Sequence, residues 1–211
     1  MSDDTDAKER KSHVWKRDSL DFYVEPERAT RALLTVEKFN GAILDPSCGQ
    51  GNIVKVLRGA GYDAKGRDIV DRGIDREAWM GEADFLEQAH PVDRPNIVFN
   101  PPFFRALGAE AFIRRALAVT WGKVAAFVDI RFIAGDKRAN SLYADFAPHR
   151  VWIITPRVSC PPGDYLAAGN KAGNGSADWC WMVWDKTAPY TGTSLGWLRS
   201  GKPQSGLQNS L

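Results

Sequence analysis

The chain has 211 residues, of which 44% are hydrophobic and 26% charged. That is enough apolar content to bury a core, most simply in one domain, and it argues against a disordered polypeptide. No apolar run approaches the roughly 18 residues of a membrane-spanning helix. The opening MSDDTDAKERKSH is charged where a secretory signal carries an apolar core, so a soluble, cytoplasmic protein with no membrane partner is expected. Three cysteines, Cys48, Cys160 and Cys180, are an odd number without a C-x-x-C pair; reduced thiols are expected, with neither a disulfide framework nor a metal site. The formal charge of +2 divides unevenly, −4 over residues 1–100 and +6 over residues 101–211, which makes the second half the better candidate for meeting a polyanion.

Residues 1–18 mix Asp, Lys and Arg without apolar periodicity and read as a flexible tail. From there short apolar runs alternate with segments of helical period, the pattern of a mostly parallel central sheet flanked by helices. Helices are expected over Glu27–Lys38, Ile53–Ala60, Gly108–Thr120 and Ala139–Phe146. Strands are expected at Ala42–Asp45, Ala64–Asp68, near Glu82, and at Ile97–Phe99, Val124–Val128, Val151–Thr155 and Cys180–Trp184. Arg157–Asp178 is dense in Pro, Gly and Asn and reads as a long loop, of a length that often binds something. The Gly-, Ser- and Thr-rich residues 187–211 read as a second flexible tail, leaving one α/β domain over residues 19–186.

Four segments can carry chemistry. Ile43 to Asn52 (ILDPSCGQGN) runs from a strand through a turn containing Gly49 and Gly51 into a helix, which lets backbone groups approach a nucleoside-type ligand. The phosphate loop G-x-x-x-x-G-K-[ST] is absent, and Val54 stands where a dinucleotide fingerprint has its third glycine. Asp68 ends the next strand about 20 residues on, where a carboxylate can accept from ribose hydroxyls. Asp84 and Phe85 follow the short third strand, a carboxylate and a ring suited to an adenine amino group and its face. Finally, Asn100-Pro101-Pro102-Phe103 follows an apolar strand. Two prolines there end the hydrogen-bond ladder and hold a rigid corner. An exocyclic amine could donate to the Asn100 side-chain oxygen and the Pro101 carbonyl while Phe103 stacks on the base.

In order and spacing, the Asp45-to-Gly51 turn, Asp68, Asp84 and the NPPF tetrad resemble the S-adenosylmethionine-dependent amino-methyltransferases, specifically the DNA adenine-N6 methyltransferases of small phage type. Asp21-Phe22-Tyr23-Val24-Glu25-Pro26 resembles their N-terminal cofactor-contacting Y-x-T-P motif, with Glu25 in place of the Thr. Trp181–Asp185 resembles their last strand, so the likeness runs from about Asp21 to Asp185. It implies a Rossmann-like methyltransferase fold and a catalytic tetrad of Asn100, Pro101, Pro102 and Phe103. It also implies S-adenosylmethionine contacts from Phe22, Tyr23, Pro26, Asp45, Pro46, Cys48, Gly49, Gly51, Asp68, Ile69, Asp84, Phe85 and Asn100, with S-adenosylhomocysteine as product and no metal.

The implied substrate is an adenine of DNA, flipped out or single-stranded, because a stacked base cannot reach such a site. Phosphate contacts are expected from Arg105, Arg131, Lys137, Arg138, Arg157 and Lys171, and the neighbouring His149 and Arg150 are further basic loop residues. No Pro-Cys pair supplies the thiolate that cytosine-C5 methylation needs, and no G-x-S-x-G elbow supplies a hydrolase nucleophile. An RNA adenine and a protein glutamine amide remain alternative amines, and a cofactor-binding protein without turnover is the alternative of another class.

Overall fold

The computed structural model describes residues 20–87, 96–103, 107–173, 175 and 177–201. The expected N-terminal tail, Arg105 and residues 202–211 lie outside the described residues.

Eight strands form one sheet: β1 (Ile43–Asp45), β2 (Ala64–Asp68), β3 (Trp79–Glu82), β4 (Asn96–Phe99), β5 (Lys123–Asp129), β6 (Arg150–Thr155), β7 (Trp179–Asp185) and β8 (Ser194–Arg199). Their order is β3-β2-β1-β4-β5-β7-β6-β8. Every pair is parallel except those made by β7, which runs against both β5 and β6. Successive side chains in a strand point to opposite faces, so each strand feeds two cores. Ile43, Val98, Phe127 and Trp181 pack with α1 (Glu27–Leu33) and α2 (Asn52–Gly59) on one face. Leu44, Ile97, Phe99 and Met182 pack with α3 (Leu107–Val119) on the other. The central strands β1, β4, β5 and β7 are buried on both faces, which is why they read as continuous apolar runs.

Four expectations change. Helix α1 stops at Leu33, short of Lys38, and the chain turns at Thr35, whose hydroxyl donates to the Ala32 carbonyl. Glu37 is thereby delivered to Arg150, Lys123 and Trp152, all of which donate to its carboxylate. The Ala139–Phe146 helix is two short ones, α4 (Asp136–Ala139) and α5 (Leu142–Asp145). The break falls where Asn140 turns its amide back to the Asp136 carbonyl and Ser141 donates to Glu110, polar side chains diverting the helical pattern.

The C-terminal tail expected from residue 187 is the largest correction. Ser194–Arg199 adds β8 to the sheet edge, in parallel register with all of β6. Leu198 is buried, and Gly196 lies where a Cβ would be 2.4 Å from the Trp152 ring. The expected loop Arg157–Asp178 is also partly built in. Val158, Cys160, Pro161 and Pro162 are buried, and a short helix α6 (Gly163–Ala167) follows them. No described helix is long and apolar enough to cross a membrane.

Candidate active site

Strand β1 lies between β2 and β4, and the chain leaves β1 toward α2 on one face but leaves β4 toward α3 on the other. Connections diverging in this way open a crevice at the carboxyl ends of the strands. A cleft of about 260 Å³ occupies that position. The turn after β1 supplies Pro46, Ser47, Cys48 and Gly49, and the end of β2 supplies Asp68 and Ile69. Asp84 and Phe85 follow β3, the whole NPPF corner follows β4, and residues 20–25 form a strap along the remaining wall.

The strap is held on both sides. Val24 donates to the Pro161 carbonyl at 2.9 Å and Gly163 donates to the Phe22 carbonyl at 3.0 Å, on the long-loop side. On the corner side, the Asp21 carboxylate accepts from the Phe103 amide. The Asn100 amide nitrogen donates to the Tyr23 carbonyl and to Glu25 Oε2, both at 3.0 Å. Both partners occupy the NH2 end, so the amide is oriented with Oδ1 in the cleft wall, buried and without a hydrogen-bond partner. A buried acceptor left open costs roughly 1–3 kcal/mol unless a ligand fills it. The Phe103 ring meets Trp179 edge-on at 5.8 Å, and Trp179 in turn stacks on Phe127.

Deeper in the cleft, Asp68 Oδ2 accepts from the Gly49 amide at 2.8 Å, joining the end of β2 to the turn after β1. Its Oδ1 accepts from Arg72 at 2.7 Å, and the Arg72 guanidinium lies 4.2 Å over the Phe22 ring. Phe22 is seated in a slot that two glycines leave open. A Cβ at Gly163 would stand 1.9 Å from the ring, and one at Gly49, where φ is +52°, 2.5 Å from it.

The lining is largely apolar, and its carboxylates outnumber its cations. Asp21, Glu25, Asp68 and Asp84 face the cleft, while its one described cation, Arg72, is already bonded to Asp68. Burial pushes the Glu25 carboxyl up to about 7, against the opposing pull of its own backbone amide and the Asn100 side chain. Asp45 lies behind the lining, almost fully buried, and burial together with the charges of Glu25 and Asp68 raises it well above the ordinary carboxylate range. Burial likewise raises the Cys48 and Cys160 thiols, with neighbouring acids adding to it. Neither has the lowered pKa of a nucleophilic cysteine.

The structure thus gathers Phe22, Tyr23, Pro46, Cys48, Gly49, Asp68, Ile69, Asp84, Phe85 and all four NPPF residues around one cleft. Three expected cofactor contacts are not among its lining. Pro26 caps α1, Gly51 caps α2 at φ 84°, and Asp45 accepts from the Ser47 amide beneath the turn. Their work is to shape the walls. Sequence reasoning missed Ser47, Arg72 and Trp179 and saw Glu25 only as a departure. Arg72 had a signal, its basic side chain four residues after Asp68.

Among the expected phosphate contacts, Arg131 and Arg157 follow the carboxyl ends of β5 and β6, on the same edge of the sheet as the cleft. Both are exposed and paired, Arg131 with Asp129 and Arg157 with Asp178. Arg138 is taken up within the fold, donating to the Phe132 carbonyl and covering the Phe132 ring. Lys137 and Lys171 are exposed. The described residues hold no group of His, Cys, Asp and Glu able to bind a metal ion.

No family model matches the sequence, and no curated protein does. Solved structures do match. A Listeria monocytogenes protein, provisionally described as a class I S-adenosylmethionine-dependent methyltransferase, is 15% identical with a TM-score of 0.61, over 86% of this chain and 67% of its own. One from Pyrococcus horikoshii, provisionally described as an RNA methyltransferase, is 13% identical with a TM-score of 0.60, over 80% of this chain and 88% of its own. A Vibrio vulnificus protein, provisionally described as the modification subunit of a type I restriction enzyme, is 13% identical with a TM-score of 0.55, and the match spans 87% of this chain but 48% of that one. In strand order, helix placement and the position of its crevice, the chain has the Rossmann-like fold of the class I S-adenosylmethionine-dependent methyltransferases.

Proposed function

We propose that this protein transfers a methyl group from S-adenosylmethionine to the exocyclic N6 amine of adenine in DNA. The observation that carries the reading is the Asn100 side chain, which lines the cleft and is locked by Tyr23 and Glu25 so that its buried oxygen is left without a hydrogen-bond partner. An acceptor presented this way suits a hydrogen-bond donor such as an amine N–H and not an acceptor-only group such as a carbonyl.

The residues present fit the cofactor. Asp68 stands at the end of β2 for the ribose hydroxyls, Gly49 keeps the turn open, and the acidic lining suits a cation. The cofactor supplies a methyl group already activated by a positively charged sulfur, so no metal and no covalent enzyme intermediate are required. The chain's task is then alignment and polarisation. Asn100 Oδ1 and the Pro101 carbonyl accept the two amine hydrogens, which favours the tetrahedral nitrogen whose lone pair must attack. Phe103, braced by Trp179, offers its ring to the base. In the transfer a carbon–nitrogen bond would form, the carbon–sulfur bond would break with its electron pair left on sulfur, and the nitrogen would give up one proton to water.

DNA as the polymer is supported by the positive second half of the chain and by the exposed basic residues around the cleft edge. Surface ion pairs such as Arg131–Asp129 contribute little to stability, about 0–1 kcal/mol. Arg131 and Arg157 can therefore exchange their carboxylates for phosphates at small cost. The likeness in fold to a protein described as a restriction modification subunit adds to this reading.

The test is to incubate the protein with labelled methyl donor and, separately, duplex DNA, single-stranded DNA, RNA and cell-extract protein, and to identify the digested product. Label in N6-methyldeoxyadenosine is expected. Label in N6-methyladenosine or in methylglutamine would replace the substrate, and no label in any product would leave a binding protein. Asn100→Ala should lower turnover at least about a hundredfold, with donor affinity largely kept; normal turnover in that variant would refute the role of the corner.

A further inference from the structure

Glu25 is 7% exposed, lines the cleft, and has no ion pair among the described residues. Its carboxylate is 3.0 Å from the nitrogen of the same amide whose buried oxygen is left without a hydrogen-bond partner. It therefore sits at the end of the cleft where methyl transfer must occur. Of the other lining carboxylates, Asp68 is bonded to Arg72, Asp84 is only half-buried, and Asp21 accepts from the Phe103 amide at the start of the strap. A carboxylate taken out of water without a cation beside it is costly, and sites that pay this cost usually do so for a ligand.

Resting on the methyl-transfer reading above, we infer that Glu25 is the counter-charge to the sulfonium of the methyl donor, so that the cleft tells the cationic donor from its neutral thioether product. Two consequences follow. While the donor is bound, its positive charge holds Glu25 ionised, the form that best accepts from the Asn100 amide, and the catalytic oxygen is thus fixed when a methyl group is available. After transfer the sulfur is neutral, Glu25 again lacks a counter-ion, and product binding is weakened relative to donor. The titratable groups facing Glu25 are Asp45 at the end of β1, Cys48 in the turn after it and Cys160 in the long loop, each raised by burial. None is a cation. With the Glu25 carboxyl near 7 in the free protein, donor binding near or below neutral pH should expel a proton.

The experiment is calorimetric titration of S-adenosylmethionine and S-adenosylhomocysteine into the whole protein at pH 6, 7 and 8, in buffers of different ionisation enthalpy. The two ligands share their adenosine and amino-acid ends, so the ratio of their dissociation constants isolates the charge on sulfur. Wild type should prefer the donor by at least about tenfold at pH 8, the size expected for two charges several ångströms apart in a half-buried site. The preference should shrink toward pH 6, with more protons released on donor than on product binding. Glu25→Gln, which keeps the size of the side chain, should bring the ratio near one and remove its pH dependence. A ratio that neither moves with pH in the wild type nor changes in Glu25→Gln overturns this inference alone. Failure of wild type to bind either ligand overturns it together with the methyl-transfer reading.

Discussion

Ser47 Oγ donates to the main-chain carbonyl of Asn100 at 3.0 Å, a bond between residues 53 apart in sequence. It ties the turn after β1 to the corner after β4, the two segments that diverge to opposite faces of the sheet. One wall of the cleft is thereby braced against the other. Ser47→Ala removes one partly buried hydrogen bond, worth about 1 kcal/mol. The expected outcome is a few-fold to tenfold fall in single-turnover methylation, because reacting groups tolerate little slack. Denaturant midpoints should move only slightly. An unchanged rate would show that the brace is not used.

Asp68 holds the Gly49 amide and the Arg72 guanidinium, and presents its carboxylate to the cleft. Asp68→Ala deletes both bonds, a third from the Val70 amide, and the expected ribose acceptor. Donor affinity should weaken by roughly 1–3 kcal/mol, or about five- to 150-fold. Calorimetry on the purified variant checks this, and unaltered affinity would remove Asp68 from the cofactor site.

Gly163 matters for its lack of a side chain. A Cβ there would lie 1.9 Å from the Phe22 ring. Gly163→Ala should therefore push Phe22 and the strap off the long loop, at about 1–3 kcal/mol for an overpacked contact. Activity should fall with it, since the strap also holds Asn100. Phe22→Leu combined with Gly163→Ala should recover part of the lost stability, measured by urea denaturation. A double variant no more stable than Gly163→Ala would show that the ring is not the clash.

At the opposite end of the sheet, Glu37 and Asp185 accept from Arg150, and Glu37 also from Lys123 and Trp152. Burial by itself would raise both carboxyls, but hydrogen bonds outweigh it: Arg150, Lys123 and Trp152 lower Glu37, and Thr187, Arg150 and the nearby Lys123 hold Asp185 at about 2. A folded value below the unfolded one stabilises the protein above the ordinary carboxylate range. That contribution is lost as pH falls through the folded value. Urea midpoints should thus be flat near neutrality and decline from about pH 5 toward pH 2. Glu37→Gln should cost about 3 kcal/mol at pH 7, the order expected when a buried pair is broken, and should flatten the acid decline.

The central strands were legible because they are buried on both faces. Runs such as Val124–Val128 and Cys180–Trp184 have no polar residue to disguise them, and they lie inside β5 and β7 with ends extended by one residue. β8 was hidden for the opposite reason. It is an edge strand whose Leu195 and Trp197 face solvent, so its Ser, Gly and Arg composition looked like a tail. The early end of α1 was also unreadable, since the helical period continues past Leu33 and only the distant Arg150 and Lys123 draw Glu37 away.

The site divides in the same manner. By itself the sequence determined which residue types meet: an acid after β2, glycines after β1, and a double-proline corner after β4, because local backbone chemistry dictates where such turns can stand. Only the tertiary structure decided which way the Asn100 amide faces, that Glu25 is its partner and not a defect in a motif, and that Pro26, Asp45 and Gly51 shape walls without lining them. The first two of these depend on hydrogen bonds between segments 75 and more residues apart. No local pattern encodes the side on which a distant chain will arrive.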